Sequence, residues 1–454
     1  MQHRLSFKEI SSQFADAGVK KVKLAITDID GVLRGKIISS EKFLSVAEKG
    51  FGFCDVVFGW DAADLAYDNA AVTGWHTGYP DATAVIDLDT MRRIPWENDT
   101  HFFLADFSSP NGQAQPVCPR SLLKRIAEQT KEAGFIPYFS QEFEWFNFKT
   151  TSAELHEQQF KNIRPLTNGM FGYSVLRASQ NSVFFNDLFD LLTRFDVPVE
   201  GIHTETGPGV YEAAIKYSTV VEAADRAVLF KSGVKEIASQ HNIVATFMAK
   251  ISENLPGCSG HVHQSLWSSD GSANLFSSKK ENGMSELMES YIAGQMHCLP
   301  FILPMYAPTI NSYKRLVEGA WAPTTLTWAF DNRTTALRVL CGGASTRLET
   351  RVVGSDSNPY LAMAACLASG LYGIRNRLKL EVPPTKGSGY TDTKNGLLPK
   401  NLHEATEAMK NSTVAKELFG DTFVKHFTGT REWEWRQYAK AVTDWELRRY
   451  FEII

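Results

Sequence analysis

The chain has 454 residues, of which 43% are hydrophobic and 22% charged, the composition of an ordinary globular protein with a sizeable core. Lys and Arg number 47 against 51 Asp and Glu, so the formal net charge is -4, which excludes a general attraction to nucleic acid or anionic lipid. No apolar segment reaches the roughly 18–20 residues that span a bilayer, so we expect neither a membrane nor a nucleic-acid partner.

The cysteines are scattered, and none forms a CxxC pair. In a chain of this length such a distribution predicts free thiols and a cytoplasmic location, because disulfides persist mainly in oxidising compartments. The thiols are Cys54, Cys118, Cys258, Cys298, Cys341 and Cys366.

The N-terminal residues predict a small α+β unit. The segment FKEISSQFADAG has the apolar spacing of an amphipathic helix that ends at Gly18. Two β-rich runs, VKLAITDID and GKIISS, are joined by a turn at Asp30-Gly31, and TAVIDLDT and THFFLADF predict two further strands. The Pro-, Gly- and Ser-rich stretch at residues 107–120 predicts a domain boundary, which we place between residues 112 and 113.

The remainder predicts a large α/β or α+β domain. From Pro119 onwards, helical patterns alternate with short strand patterns through SLLKRIAEQTKEAG, IPYFSQEFEWFNF, SVFFNDLFDLLTRFD and VPVEGIH. A loop-rich stretch at residues 382–401 precedes a mostly helical tail. The predicted fold class is α+β, with residues 1–112 and 113–454 as two domains.

Two pairs of carboxylates mark where chemistry could occur. In YFSQEFEWFNF, Glu142 and Glu144 share one strand face and would repel each other unless a cation lies between them or one is protonated. A solvated strand face is the alternative, although the aromatic flanks disfavour it. In HTETGPGVYEAA, a Gly-Pro-Gly turn can fold Glu205 back beside Glu212. We predict that Glu212 opens a helix running to about residue 240. The alternative to a functional role is a structural one, in which the helix dipole stabilises this carboxylate at the helix start.

Histidines and arginines follow further along the chain. His261 and His263 alternate behind a Gly-rich loop, the HxH pattern of metal sites, although core histidines show it as well. Arg347, Glu349 and Arg351 share one face of a later strand, either as a self-satisfied ladder or as a site for carboxylate and phosphate. Three arginines upstream of this strand indicate anion recognition: Arg315, Arg333 and Arg338.

These residues predict an α/β enzyme with a carboxylate-rich site for divalent metals. The chain has no GxxxxGK[ST] loop and no GxGxxG after a strand, so the phosphates of any bound ATP would be held by metals and arginines. Many oxygen ligands and few nitrogen ligands favour Mg²⁺ or Mn²⁺ over Zn²⁺.

At these positions the chain resembles the glutamine synthetase family, over nearly its whole length. The resemblance is carried by the order and spacing of the E-x-E strand, ETGPGVYE, the G-H-x-H-x-S loop, NSYKR, the N-R-T and L-R segments, the R-x-E-x-R strand and NPYLA. It implies a small N-terminal β-grasp domain, a larger catalytic domain and a dodecamer of two stacked hexameric rings. Each active site would be a funnel between neighbouring subunits, with loop residues 55–65 of one subunit near the metal site of the next.

The resemblance also assigns roles to individual residues. One cation would be bound by Glu144, Glu205 and Glu212, and a second by Glu142, His261 and Glu349. Glutamate would be held by Gly257, Arg315 and Arg351. The phosphates would face Arg333, Arg338 and Arg347, the first two as catalytic residues. The nucleotide pocket would be lined by Glu200, Tyr217, His263, Ser265, Arg338 and Arg347.

The reaction implied is a two-step ligation. The γ-carboxylate of L-glutamate attacks the γ-phosphate of ATP, and an amine or ammonia then displaces phosphate from the γ-glutamyl phosphate. Two divalent cations, Mg²⁺ or Mn²⁺, and fixed arginines would stabilise the negative charge that builds up in both steps. The acyl phosphate needs protection from water, and LVEGAWAPT lies where the family has a closing flap.

The chain departs from the family where ammonium is bound. Ammonium-using members form that pocket from acidic residues, and alignment places Phe58, Trp75 and Trp321 at those positions. Tryptophans cannot take a proton from ammonium, but they can enclose an alkyl group or an aminium ion by dispersion and cation–π contact. The chain therefore resembles the γ-glutamylamide synthetases, and we expect Trp75 and Trp321 to bind the amine.

Two alternatives remain open. Other acids, such as Asp61, Asp64 or Glu318, could rebuild the ammonium pocket of an ordinary glutamine synthetase. Some family members have become catalytically inactive structural proteins, but these have no reason to keep metal ligands, and all six candidate ligands are present here.

Overall fold

The computed structural model describes residues 6–108 and 113–454, and two β-sheets organise them. The strands of the first sheet are β1 (Lys21–Thr27), β2 (Leu33–Ser39), β3 (Phe51–Cys54), β4 (Asp81–Ile94) and β5 (Thr100–Ser108). Their order is β2-β1-β5-β4-β3, with β1 and β5 parallel and the other neighbours antiparallel. Helices α1 (Phe7–Asp16) and α2 (Ser40–Val46) bury Phe14 and Phe43 in a single cluster with Leu24 and Phe103 of the sheet.

The predicted helix and turn at the start of the chain are confirmed. A capping box between Ser6 and Glu9 satisfies the free amides at the beginning of α1, and the chain turns away at Gly18. Gly31 lies in the β1–β2 turn with φ +84°, and a Cβ there would lie 2.9 Å from the Cα of Asn358. The turn therefore needs glycine both for its backbone conformation and for its close contact with the rest of the molecule.

The second sheet carries the candidate site. Its strands are β6 (Phe135–Lys149), β7 (Val199–Thr204), β8 (Val210–Ile215), β9 (Ser218–Thr219), β10 (Ile243–Thr246), β11 (Gly260–Ser268), β12 (Trp328–Phe330), β13 (Leu337–Leu340) and β14 (Arg347–Thr350). The order is β12-β13-β14-β11-β6-β8-β7, and β9 and β10 also pair with β6. All neighbours are antiparallel except β12 and β13.

Helices complete the larger part of the molecule. They are α3 (Pro119–Glu132), α4 (Ser152–Glu157), α5 (Val175–Gln180), α6 (Ser182–Arg194), α7 (Val220–Gln240), α8 (Glu286–Ile302), α9 (Ser312–Arg315), α10 (Pro359–Arg375), α11 (Leu402–Asn411), α12 (Thr413–Phe419), α13 (Asp421–Lys440) and α14 (Asp444–Tyr450). The rings of Phe143 and Trp145 on β6 pack against Phe230 of α7. Because side chains alternate across a strand, Glu142 and Glu144 project from the opposite face, away from α7.

Several predictions made for the whole chain can now be compared with the structure. The α+β fold class is confirmed. The division at residues 112 and 113 stays a prediction, since residues 109–112 lie outside the described part. All six cysteines are free thiols. Among the helices of the described residues, none is long and apolar enough to cross a membrane.

Candidate active site

The register of adjacent strands brings the predicted metal ligands together. Glu142 on β6 lies opposite His261 on β11, and Glu144 lies opposite Glu212 on β8. Glu349 on β14 lies opposite His263, also on β11. Side chains of residues that face each other in a sheet lie about 5 Å apart, so the sheet itself concentrates these groups.

The structure corrects the prediction for Glu212. This residue lies within β8, paired with β6 and β7, and the helix that we expected it to open begins only at Val220. Its carboxylate therefore belongs to the row of acids on the sheet and not to a helix terminus. The Gly-Pro-Gly turn does fold Glu205 back as predicted, and the Glu205 amide donates to the carbonyl of Val210.

One group of ligands surrounds His261. Its Nδ1 lies 3.3 Å from Oε1 of Glu349 and 3.8 Å from Oε1 of Glu142. His263 approaches the other oxygen of Glu142 with its Nε2 at 3.4 Å. The second cation position of the family prediction, formed by Glu142, His261 and Glu349, is thus a compact cluster.

A second group contains an imidazole that the sequence analysis missed. His203 on β7 lies with Nε2 3.4 Å from Oε1 of Glu212 and Nδ1 3.7 Å from Oε2 of Glu205. One potential ligand atom from each of these residues lies within 4.8 Å of the others. Glu144 stands beside them on β6, and its Oε2 accepts a hydrogen bond of 2.7 Å from the Ser259 amide. The segment HTE places His203 two residues before Glu205, and this spacing is the signal that could have identified His203.

Crowding shifts the pKa values of these acids. Burial, reinforced by the charge of Glu142, raises the pKa of Glu212 to about 11. Burial also raises the pKa of Glu144 to about 7, with Glu205 and Glu142 contributing. Burial likewise disfavours ionised Glu142, but hydrogen bonds from His261 and His263 outweigh it and lower its pKa well below the usual value. The protein alone therefore cannot keep all the carboxylates ionised at neutral pH.

These residues fit divalent cations. Oε2 of Glu205 and Nε2 of His261 are buried without a hydrogen-bond partner, as expected of atoms that await a metal. The donor set consists mainly of carboxylate oxygens with a few imidazole nitrogens, which suits Mg²⁺ or Mn²⁺. A bound cation would also offset the charge of Glu142, which adds to the effect of burial in raising the pKa of Glu212.

The predicted arginines occupy different environments. Arg338 bridges Glu349 at 2.9 Å and Asp331 at 2.6 Å, and Arg351 binds the other oxygen of Glu349 at 2.5 Å. Arg333 is exposed, and its carbonyl accepts a hydrogen bond from Nε of Arg351. Arg347 contacts Nδ1 of His263.

Arg315 and Gly257, two of the predicted glutamate ligands, lie in a tightly packed part of the site. The Arg315 guanidinium is buried and donates to the hydroxyl of Ser259 and to the carbonyls of Val352 and Arg351. A Cβ on Gly257 would lie 2.4 Å from the Ala249 carbonyl and 2.8 Å from Cγ of Arg315. Glycine is required there for packing, and the glutamate-binding role of both residues stays a prediction.

A cleft of about 460 Å³ adjoins the metal ligands. Its lining includes five of the six predicted nucleotide-pocket residues, Glu200, Tyr217, His263, Ser265 and Arg347. Arg338 is not among the residues that line this cleft, because it is turned towards Asp331 and Glu349. Sequence analysis missed Tyr138 and Trp267, which form an edge-to-face pair at 5.6 Å and provide flat surfaces suited to a nucleobase.

The residues predicted to bind the acceptor are separated in the chain. Trp75 is 76% exposed and contacts Tyr79, whereas Trp321 is 58% exposed and its carbonyl accepts a hydrogen bond from Arg351. No ring contact joins the two tryptophans within the described residues. Phe58, aligned with the third of these positions, is fully buried against Phe107 in the N-terminal core.

The candidate bases also occupy distinct settings. Oδ1 of Asp61 accepts the amides of Ala63 and Leu65 and Oδ2 accepts the indole of Trp433, so it stabilises its own loop. Asp64 forms an ion pair of 2.8 Å with Arg34. Glu318 is exposed, three residues before Trp321. Asp64 and Glu318 are both exposed to solvent, whereas Asp61 is buried.

Comparison with known proteins identifies relatives along nearly the whole chain. The family model described as glutamine synthetase, catalytic domain, matches residues 116–450. A type-1 glutamine synthetase 2 from Dictyostelium discoideum is 54% identical over 437 residues, covering 95% of this chain and 84% of that protein. A glutamate–isopropylamine ligase from a Pseudomonas species is 37% identical over 440 residues, covering 96% of each chain. A solved GmaS–ADP complex superposes with a TM-score of 0.84 at 26% identity, covering 97% of this chain and 99% of that one.

Proposed function

Since the chain belongs to the glutamine synthetase family of ATP-dependent ligases, we propose that it joins the γ-carboxylate of L-glutamate to a primary amine through γ-glutamyl phosphate. The two clusters of acids and imidazoles support a site for phosphoryl transfer, and the exposed indole of Trp321 supports an acceptor larger than ammonium. The alkyl acceptor of the related isopropylamine ligase agrees with this choice.

Trp321 is the observation that carries the choice of acceptor. Its backbone has φ +56°, a conformation that residues other than glycine rarely adopt. Such backbone strain is concentrated at functional positions. Its carbonyl is tied to Arg351, a predicted ligand of glutamate, while its indole is 58% exposed. An amine beside this indole would lie next to the γ-carbonyl carbon of γ-glutamyl phosphate, which it attacks as phosphate leaves.

The remaining roles follow from charge and position. The cations would be held by Glu142, His261 and Glu349 and by Glu144, Glu205 and Glu212, and they would supply Lewis-acid stabilisation of phosphoryl oxygens. Arg333, exposed at the edge of the site, is suited to the transferring phosphate, while Arg338 holds Glu349 in place. Arg347 and the aromatic walls of the cleft would bind the nucleotide.

Ammonia is the second candidate acceptor. One observation supports it: the relative with 54% identity is a glutamine synthetase by name. Glu318, exposed close to Trp321, is the acid in this region that could take the ammonium proton.

A panel of acceptors separates the two candidates. Phosphate release is measured with ATP, Mg²⁺ and L-glutamate, using ammonium, methylamine, isopropylamine, ethanolamine and a polyamine at equal concentrations. We expect an amine to give the highest kcat/KM, with no release when glutamate is omitted. Ammonium as the best acceptor would contradict the amine proposal and leave glutamine synthesis, and Glu349→Gln is the matched inactive control.

A further inference from the structure

The imidazole of His203 has no role in the assignments above. His203 lies on β7 directly opposite Glu212 of β8, which in turn lies opposite Glu144 of β6. Three neighbouring strands therefore present His203, Glu212 and Glu144 as one row. His203 is only partly exposed, with 32% of its side chain accessible.

A main-chain contact determines the tautomer of this imidazole. Nδ1 lies 3.2 Å from the carbonyl oxygen of Thr204, and since a carbonyl can only accept, Nδ1 must carry the proton. In the neutral imidazole, which is the form that binds a metal, Nε2 then holds a lone pair; this atom lies 3.4 Å from Oε1 of Glu212. Histidines that bind metals are oriented in this way, with one nitrogen donating to a carbonyl and the other free to coordinate.

Tyr173 orients the imidazole ring of His203, and Glu205 offers an oxygen atom for a cation beside it. Tyr173 stacks on the imidazole with centroids 4.5 Å apart and planes inclined by 27°, which fixes the ring plane. Glu205 contributes Oε2, a buried atom without a hydrogen-bond partner. Glu144, by contrast, already uses Oε2 to accept the Ser259 amide.

We infer that His203 is a nitrogen ligand of the cation bound by Glu205 and Glu212. The inference rests on the use of divalent metal in the proposed function, but it is independent of the acceptor. Imidazole prefers Co²⁺, Ni²⁺ and Zn²⁺, whereas carboxylates suit Mg²⁺. His203 therefore gives this position a selectivity for transition metals that carboxylates alone would not provide.

Metal binding without nucleotide tests the inference. Co²⁺ and Mg²⁺ affinities are measured by calorimetry in a His261→Gln background, so that the other imidazole-containing position contributes less to Co²⁺ binding. We expect His203→Ala to weaken Co²⁺ binding roughly tenfold or more while Mg²⁺ affinity changes far less. His297→Ala, which removes an exposed imidazole from α8, is the matched control and leaves both affinities unchanged.

Two outcomes would overturn the inference. Unchanged Co²⁺ affinity means that the imidazole is not a ligand. An equal loss of Co²⁺ and Mg²⁺ affinity means that His203 only positions the carboxylates. Should His203→Ala fail to melt cooperatively, His203→Gln is tested by the same criterion. Failure here would leave the amine panel unaffected, since that panel depends on the acceptor pocket.

Discussion

At the scale of single residues, the raised pKa of Glu144 shows the effect of bringing several carboxylates together without a metal ion. Its side chain is half-buried, and burial of the carboxyl group raises its pKa from 4.5 to about 7. The folded state thus binds the proton more tightly than the unfolded state. The resulting stabilisation is complete below pH 4.5 and is lost as pH rises through about 7.

This gives a prediction for the metal-free protein. Between pH 4.5 and 7 the folded state should lose up to about 3 kcal/mol through Glu144, because one pKa unit corresponds to about 1.4 kcal/mol. Glu144→Gln cannot titrate, so its free energy of unfolding should fall less steeply with pH. The measurement is urea unfolding in EDTA at several pH values. Parallel pH profiles for the variant and the wild type would contradict this prediction. Saturating Mg²⁺ should stabilise the wild type most at the upper end of this pH range.

Trp321 gives a second prediction at this scale. Trp321→Glu should shift kcat/KM from amines towards ammonium, since a carboxylate can bind ammonium and accept its proton whereas an indole cannot. The lost apolar contact with the alkyl chain costs about 25 cal/mol per Å². Trp445→Glu, at an exposed indole on α14, is the control. An unchanged preference would show that Trp321 does not line the acceptor pocket.

At the scale of elements, the sequence predicts which residues share a face of a strand better than it predicts which strands pair. The alternation in YFSQEFEWFNF correctly placed Glu142 and Glu144 on one face of β6. The helix predicted from Glu212 is wrong, although YEAAIKYSTVVEAA is rich in residues compatible with a helix. Pairing with β6 and β7 buries Tyr211 and Ala213 and overrides that propensity. The partner β6 is distant in sequence, but β7 and β8 form a hairpin across the Gly-Pro-Gly turn, so that turn was the local signal for a strand at Glu212.

Arg120 on α3 provides the prediction for this scale. Its guanidinium is buried and binds Asp225 of α7 at 2.8 Å as well as Asp87 and Asp106 of the first sheet. Arg120→Ala would leave the buried Asp225 without its cation, which typically costs about 3–5 kcal/mol of stability. Denaturant unfolding measures this loss.

The control for Arg120 is an exposed ion pair. Arg436 binds Asp68 at the surface, with 43% and 55% of the two side chains accessible. Arg436→Ala should cost less than about 1 kcal/mol, because solvent screens such pairs. Equal losses for the two variants would show that burial does not determine the contribution of Arg120.

At the scale of the whole molecule, the acceptor pocket is the part of the site that is least predictable from the sequence. Phe58 and Trp75 stand in the same aromatic-rich N-terminal region, yet Phe58 lies in the core and Trp75 is exposed. Phe58 packs against Phe107 of β5 within a buried cluster, a contact between residues far apart in the sequence that no local pattern specifies. Trp75 and Trp321 both face solvent in the single chain, as residues that meet across a subunit boundary would.

We therefore predict that each complete site combines two subunits of a dodecamer. Glu349→Gln subunits keep an intact Trp75, and Trp75→Arg subunits keep intact metal ligands. Each variant alone should be inactive, but co-expression should restore part of the wild-type amine ligation, because some sites then pair two unaltered halves. Light scattering on the same samples gives the assembly size. Hybrids without activity, or an active monomer, would place the whole site within one chain.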